Sequence, residues 1–426
     1  MIGAVLLAAL SGADLAGRWE GAVVRNNATQ GVVFELRSTG EGVAGIYDIP
    51  DLNLFGEALD SVRASGEEIE LRFKYGRFLG RLSEPAQEIT AINADWGPPV
   101  ALHLKRVPAR APEYLQEEVR FGRDGALAGT VYRPAWEGRH PGVVVIHGSG
   151  PGKRSQWEYR GLGPMFARMG VVALVYDKRS EDATFAALAD DAAAAHAFLA
   201  HRPGIDPRRV GFFGTSQGGW LAPLAATRVK ATAFLVLEKG AAVTVAEQER
   251  QRVAYTMRAE GLDEAAVGEA TAYTDAMLRA AESSGAWETV ARRAAELRDR
   301  PWATHVQLVT SAEDLEGWRR QAYDPAPVLR RTRVPLLALF GEKDTLVPPA
   351  ENLEKMRGYL AEAGNRDVTL VTLPGEGHNR YLGQHLEGGD WNWPQGFWVW
   401  DRVSPREICT IQEWLRARGL LAAPPP

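Results

Sequence analysis

The pentapeptide Gly214-Thr215-Ser216-Gln217-Gly218 constrains this chain most, because of what flanks it. Val210 to Phe213 reads as a short buried strand, and Trp220 to Arg228 as a helix. A G-x-S-x-G sequence between a strand and a helix places its serine on a sharp, strained turn. Small residues are needed two positions before and after that serine. A side chain at Gly214 or Gly218 would strike the neighbouring strand or helix. The competing reading is a glycine-rich turn with an incidental serine, in a chain that holds 44 glycines.

The strand before the pentapeptide is one of a series. Val143 to Ile146, Val171 to Tyr176, Ala233 to Leu237, Val334 to Phe340 and Val368 to Leu373 are apolar runs of strand length. Helical patterns intervene, as at 183–200, 350–363 and 404–418. Apolar strands alternating with helices predict a mostly parallel sheet covered on both faces. Glu117 to Phe121 and Leu127 to Tyr132 predict an antiparallel hairpin ahead of it. Residues 243–326 break the alternation. They are rich in Ala, Glu and Arg, with Val253, Met257, Leu262, Val267, Tyr273, Met277 and Leu278 at helical spacing. This reads as a helical cap inserted between two sheet strands, above the carboxyl edge where active groups belong.

A serine hydroxyl is a weak nucleophile and needs a base within hydrogen-bond reach. With G-x-S-x-G the chain order is serine, then an acid, then histidine. Two later strand ends supply them. Gly341-Glu342-Lys343-Asp344 follows the strand at 334–340, and Gly375-Glu376-Gly377-His378 follows that at 368–373. Ser216, Asp344 and His378 are the expected triad, with Glu342 the rival acid and His385 the rival base. His103, His140, His196, His201 and His305 lie at positions less suited to the role. A developing oxyanion needs two aimed donors. The backbone N–H of Gln217 is one. The loop His147-Gly148-Ser149-Gly150-Pro151-Gly152 offers the other, from Ser149 first and Gly148 next. Read as a phosphate-binding loop, the same stretch lacks both the GK[ST] and the G-x-G-x-x-G spacing.

Substrate contacts are less constrained. Tyr176-Asp177-Lys178-Arg179 ends a strand, and Arg179 there reads either as a ligand for an anionic group or as part of a structural ion-pair network. Trp220 is expected to pack beneath the serine. Trp391 and Trp393 lie in a stretch with four tryptophans, either an aromatic wall for an apolar group or ordinary packing.

Residues 14–107 read as a separate all-β unit of short alternating strands, for example Val32 to Arg37 and Phe78 to Leu82. Asp95 and Trp96 there read as a turn acid and a core aromatic rather than ligand contacts. A Pro/Ala/Arg linker at 108–112 separates this unit from the catalytic region, 113–426. Ile2 to Leu10 is an apolar run followed by Ser11-Gly12-Ala13, which reads as an export signal over 1–13 and is too short to span a membrane. A periplasmic or secreted location is expected, with a cytoplasmic one as the alternative. The 49 basic and 54 acidic residues are well mixed and give no electrostatic case for a nucleic-acid partner. The single cysteine, Cys409, excludes an intramolecular disulfide and reads as a packed core thiol.

These motifs resemble the α/β-hydrolase superfamily, and within it the dienelactone-hydrolase and prolyl-oligopeptidase-like branch of esterases. The resemblance rests on His147-Gly148-Ser149-Gly150-Pro151, Tyr176-Asp177-Lys178-Arg179, the pentapeptide with Gly219, Gly341 to Pro348, and Gly377-His378. It covers about 115–420. Ser180-Glu181-Asp182 depart from the glycine-rich turn that usually follows the Tyr-Asp-Lys-Arg motif. The N-terminal unit is similar to small β domains that precede some exported members. The resemblance implies an α/β fold with a helical cap and a small β domain, a small-molecule ester substrate, and neither metal nor organic cofactor. An acyl-CoA thioesterase or small-peptide serine peptidase is the alternative chemistry. A non-catalytic binding protein on the same scaffold is the alternative class.

Overall fold

The computed structural model describes residues 15–379, 381–382 and 402–422, apart from 26–27, 51–53, 74–75, 84–86, 96–98, 181–182 and 284–286. The apolar N-terminal run, Trp96, His385, Trp391 and Trp393 lie outside the described residues. Two compact units divide the chain. One takes residues to Glu113 with Tyr381–Ile408, and the other takes Tyr114–Arg380 with Cys409–Pro426.

The large sheet of the first unit holds nine antiparallel strands: β1 (Gly17–Arg25), β2 (Ala28–Thr39), β3 (Gly42–Ile49), β4 (Leu54–Ala58), β5 (Ser61–Ser65), β6 (Glu68–Phe73), β7 (Gly76–Ser83), β8 (Glu88–Asn93) and β9 (Ala101–Val107). The sheet runs β2-β1-β9-β8-β7-β6-β5-β3-β4, and β2 also pairs with β3, so eight strands close into a ring with β4 appended to it. Closure removes the unpaired edges that a meander would expose. Each strand alternates, so one set of side chains fills the interior: Ile69, Leu71 and Phe73 of β6 are buried between exposed or half-buried neighbours. Phe73 sits at the centre of an aromatic cluster, 5.6 Å from Phe34, 5.3 Å from Tyr47 and 5.0 Å from Phe78.

The second unit is built on an eight-stranded mixed sheet. Its strands are β10 (Tyr114–Phe121), β11 (Leu127–Pro134), β12 (His140–Ile146), β13 (Val172–Tyr176), β14 (Ile205–Thr215), β15 (Leu235–Glu238), β16 (Leu336–Gly341) and β17 (Val368–Leu373). The order is β10-β11-β13-β12-β14-β15-β16-β17. The first hairpin is antiparallel and the six strands from β13 to β17 in that order run parallel. The central strands β12, β13 and β15 are buried at every residue, as parallel strands covered on both faces must be.

Short helices α1 (Trp157–Arg160) and α2 (Leu162–Arg168) follow β12, α3 (Phe185–Ala200) follows β13, and α4 (Gln217–Ala226) follows β14. Between β15 and β16 the described elements are all helical: α5 (Val245–Ala259), α6 (Glu264–Glu282), α7 (Trp287–Leu297), α8 (Ala312–Arg320) and α9 (Ala326–Leu329), with one short 3₁₀ turn at Ala303–His305. Three of these helices start where the sequence offers a cap. Thr244 accepts from the Glu247 N–H, Asp263 accepts from the Ala266 N–H, and Ser311 with Asp314 forms a capping box. The insertion has its own core, in which Val253, Met257, Val267, Tyr273, Met277 and Leu278 are buried. Helices α10 (Pro349–Glu362) and α11 (Pro405–Ala417) complete the chain. Cys409 corrects the expectation of a core thiol. It lies on the exposed side of α11, while Ile411, Trp414 and Leu415 take the buried side.

Candidate active site

Three strand ends converge. Ser216 follows β14 directly and caps α4, with φ 51° and ψ −115°. This is a conformation that L residues rarely adopt, and it is held because the surroundings fix it. The Ser216 N–H donates to the Glu238 carbonyl of β15 at 2.9 Å. A methyl group on Gly214 would lie 2.1 Å from the Gly218 carbonyl oxygen, and one on Gly218 would lie 2.4 Å from that of Ile146. The turn therefore requires both glycines.

His378 lies in the loop after β17, with Nε2 3.0 Å from Ser216 Oγ and Nδ1 2.8 Å from Asp344 Oδ2. Asp344, in the loop after β16, is buried, and its other oxygen accepts the N–H groups of Leu346 (2.9 Å) and Val347 (2.8 Å). Both carboxylate oxygens are thus occupied and the group is held in one orientation. Glu342, the rival acid, is exposed and accepts the Gly375 N–H instead. Glu376, two residues before His378, is buried 3.7 Å from the buried Lys239 ammonium. A carboxylate in a loop between an apolar strand and the histidine is the sequence signal for that pair.

The loop after β12 approaches the serine closely: a methyl group on Gly148 would sit 3.3 Å from Ser216 Cβ. The Gly148 N–H donates to the Tyr159 hydroxyl at 3.1 Å. This bond engages the donor that ranks second to Ser149 in the oxyanion reading. Gln217 occupies the first helical position of α4, where backbone N–H groups lack intrahelical partners. His147 is buried against Tyr159 (4.3 Å) and Tyr176 (5.3 Å). Burial first, and then the Lys178 charge, pull its pKa down to about 3, so it is neutral.

Arg179 pairs with Asp191, its Nε 2.6 Å from Oδ2, and Asp177 pairs with Arg154, which also reaches Glu118 at 2.7 Å. The charges on either side of Lys178 thus form the ion-pair network. Trp220 is buried, donates its indole N–H to the Val243 carbonyl at 3.1 Å and packs on Phe185. Phe185 in turn stacks on Tyr323 at 4.6 Å. A cavity of about 350 Å³ opens beside Tyr323, lined among others by Val245, Leu278, Ala281 and Trp318 of the cap. Two side chains join the cap to the loops around the serine. Gln248 of α5 donates to the Leu346 carbonyl at 2.6 Å, in the Asp344 loop, and Gln321 accepts from Gln217. The sequence reading contains neither contact.

Among the described residues no cluster of His, Cys, Asp or Glu is placed to hold a metal ion, and no helix is long and apolar enough to cross a membrane.

A serine at the turn between a parallel strand and a helix, facing a histidine and an aspartate from later strand ends, defines an α/β hydrolase. The chain belongs to the alpha/beta hydrolase family, whose sequence pattern matches residues 143–387, more than half of the chain. No curated protein matches it. Among solved structures it is similar to an esterase of Pyrobaculum calidifontis, at 21% identity over 63% of this chain and 78% of that one, with a TM-score of 0.40. It is similar to esterase 2 of Thermogutta terrifontis, solved phosphoramylated by tabun, at 18% identity over 75% of this chain and 100% of that one, with a TM-score of 0.43. An esterase of Pyrococcus furiosus matches at 14% identity over 71% and 90% of the two chains, with a TM-score of 0.41.

Proposed function

We propose that the protein is a serine hydrolase of carboxylic esters that works through an acyl-enzyme. The observation that carries the reading is the array from Ser216 Oγ through His378 to Asp344, at 3.0 and 2.8 Å. In this reading His378 Nε2 takes the Ser216 proton as Oγ attacks the ester carbonyl carbon. The carbonyl electrons move to oxygen, which receives the N–H groups of Gln217 and Ser149. Collapse of the adduct breaks the bond to the alcohol, and the imidazolium returns its proton to that leaving oxygen. Water then attacks the acyl group, gives a proton to His378, and Ser216 leaves with that proton. Asp344 fixes the imidazole with its proton on Nδ1 and stabilises the charged form. The chain's own residues supply each proton transfer in this scheme.

Hydrolysis of p-nitrophenyl esters from acetate to palmitate tests the proposal, with Ser216→Ala beside the wild type. The expected result is turnover that the substitution lowers by about 10³-fold or more. Equal turnover by the folded variant overturns it. Turnover on thioesters or peptides alone would retain the serine mechanism and move the substrate class. Export through the run at Ile2 to Leu10 belongs to the same proposal, and the recovery of activity from extracytoplasmic fractions tests it.

A further inference from the structure

Lys178 is a lysine buried to 4% exposure whose Nζ faces the machinery. It donates to the carbonyls of Gly148 (2.5 Å) and Gly150 (3.0 Å) and to the Gln217 side-chain oxygen (3.0 Å). The Gly148 carbonyl and the Ser149 N–H belong to one planar trans peptide, in which the two groups point in opposite directions. A cation gripping that carbonyl therefore fixes the direction in which the Ser149 N–H points. The preceding peptide is fixed too, because the Gly148 N–H donates to Tyr159. Gly150, with φ 86°, would otherwise leave this loop free to turn.

The same ammonium holds Gln217, whose backbone N–H is the other oxyanion donor of the proposed mechanism. The Gln217 carboxamide is gripped from its far side as well. Its Nε2 donates to Gln321 Oε1 at 3.0 Å, and Gln321 Nε2 donates to the Ala183 carbonyl at 2.9 Å. Gln321 follows α8, at the edge of the cap. A continuous path of hydrogen bonds thus runs from the oxyanion loop through Lys178 and Gln217 to the cap insertion.

We propose that Lys178 is the positioning residue of the oxyanion site, and that the Gln217–Gln321 amide pair couples that site to the placement of the cap. The inference rests on the esterase reading and assigns function to two residues outside the triad. Lys178 acts through its hydrogen bonds: it fixes the peptide that carries the Ser149 N–H and ties the Gln217 side chain to the same point. Misplacing such donors lowers transition-state binding and leaves ground-state binding nearly untouched.

The test uses Lys178→Met, which keeps the side-chain length without the donors, and Gln321→Ala, which cuts the path at the cap. Steady-state kinetics on an ester are paired with the affinity for a trifluoromethyl ketone, whose hemiketal oxygen occupies the oxyanion position. Lys178→Met is expected to lower kcat about 10- to 100-fold at nearly constant KM, and to weaken the ketone by a similar factor. Gln321→Ala is expected to do the same to a smaller degree, roughly 3- to 10-fold. Unchanged kcat and ketone affinity in both folded variants overturns the proposal, as does a loss confined to KM. If Lys178→Met does not fold, the Gln321→Ala result decides. Labelling of wild-type Ser216 by a fluorophosphonate separates the two levels. An unlabelled wild type removes the hydrolase reading itself, whereas a labelled wild type with unaffected variants removes only the positioning role.

Discussion

At the residue scale, the orientation of one carboxylate decides which nitrogen of His378 carries the proton. Asp344 uses Oδ1 for the N–H groups of Leu346 and Val347 and Oδ2 for His378. In Asp344→Asn the amide oxygen remains the only acceptor for the two backbone donors. The NH₂ group is then turned to the imidazole, which must accept at Nδ1 and carry its proton on Nε2. That tautomer cannot take the proton of Ser216. Ester turnover is expected to fall by about 10³- to 10⁴-fold with little change in thermal stability. Glu342→Gln, which keeps an acceptor for the Gly375 N–H, is expected to stay within about 3-fold of wild type, since the effect of losing an exposed charge is small. A large loss in Glu342→Gln and a small one in Asp344→Asn would reverse the assignment of the acid.

At the element scale, glycines on a turn and in a helix illustrate opposite demands. Gly214 lies one residue before the end of β14, the strand that presents Ser216, and a Cβ there meets the backbone of Gly218 at 2.1 Å, which neither partner can yield. Gly214→Ala is expected to destabilise the protein by about 1–3 kcal/mol or more and to displace the serine. Gly268 lies inside α6 with open space around the place of a Cβ. Gly268→Ala is expected to stabilise the cap by about 0.5–1 kcal/mol through helix propensity, with turnover unchanged. Thermal unfolding of both variants beside wild type checks the pair. The same elements separate what a sequence can tell from what it cannot. Apolar strands such as Val143 to Ile146 and Val368 to Leu373 declare themselves by length and composition, and their carboxyl ends nominate Ser216, Asp344 and His378. The cap declares itself by helical spacing and caps. Lys178 does not, because its role depends on where a loop 28 to 30 residues earlier turns its carbonyls. Gln321, 104 residues from Gln217, is equally invisible to local pattern. Ring closure of the small β unit escapes the sequence as well, since alternation fixes the faces of β2 and β3 but not which strands meet at the seam. The exposure of Cys409 is legible in the sequence by contrast, because Ile408, Ile411, Trp414 and Leu415 form an apolar stripe at helical spacing and position 409 lies off it.

At the scale of the whole molecule, acid is expected to act on the hydrolase unit through its buried histidines. In the hydrolase unit His147 is neutral in the fold, with a pKa of about 3 set by burial and by the Lys178 charge. His196, also buried, is shifted down by desolvation. Unfolding returns these imidazoles to water, where the ordinary value is near 6.5. Between about pH 3 and 6.5 the unfolded chain therefore binds protons that the folded chain refuses, and stability rises with pH across that window. On going from pH 7 to pH 5, His147 alone is expected to remove about 2 kcal/mol from the stability of this unit. Urea unfolding at pH 7, 6 and 5, followed by signals that separate the two units, checks the expectation. His147→Gln, which cannot titrate, should flatten the slope of the hydrolase transition whatever it costs in absolute stability. An unchanged slope in that variant would mean that the acid sensitivity of the hydrolase unit originates elsewhere, with His196 the next residue to replace.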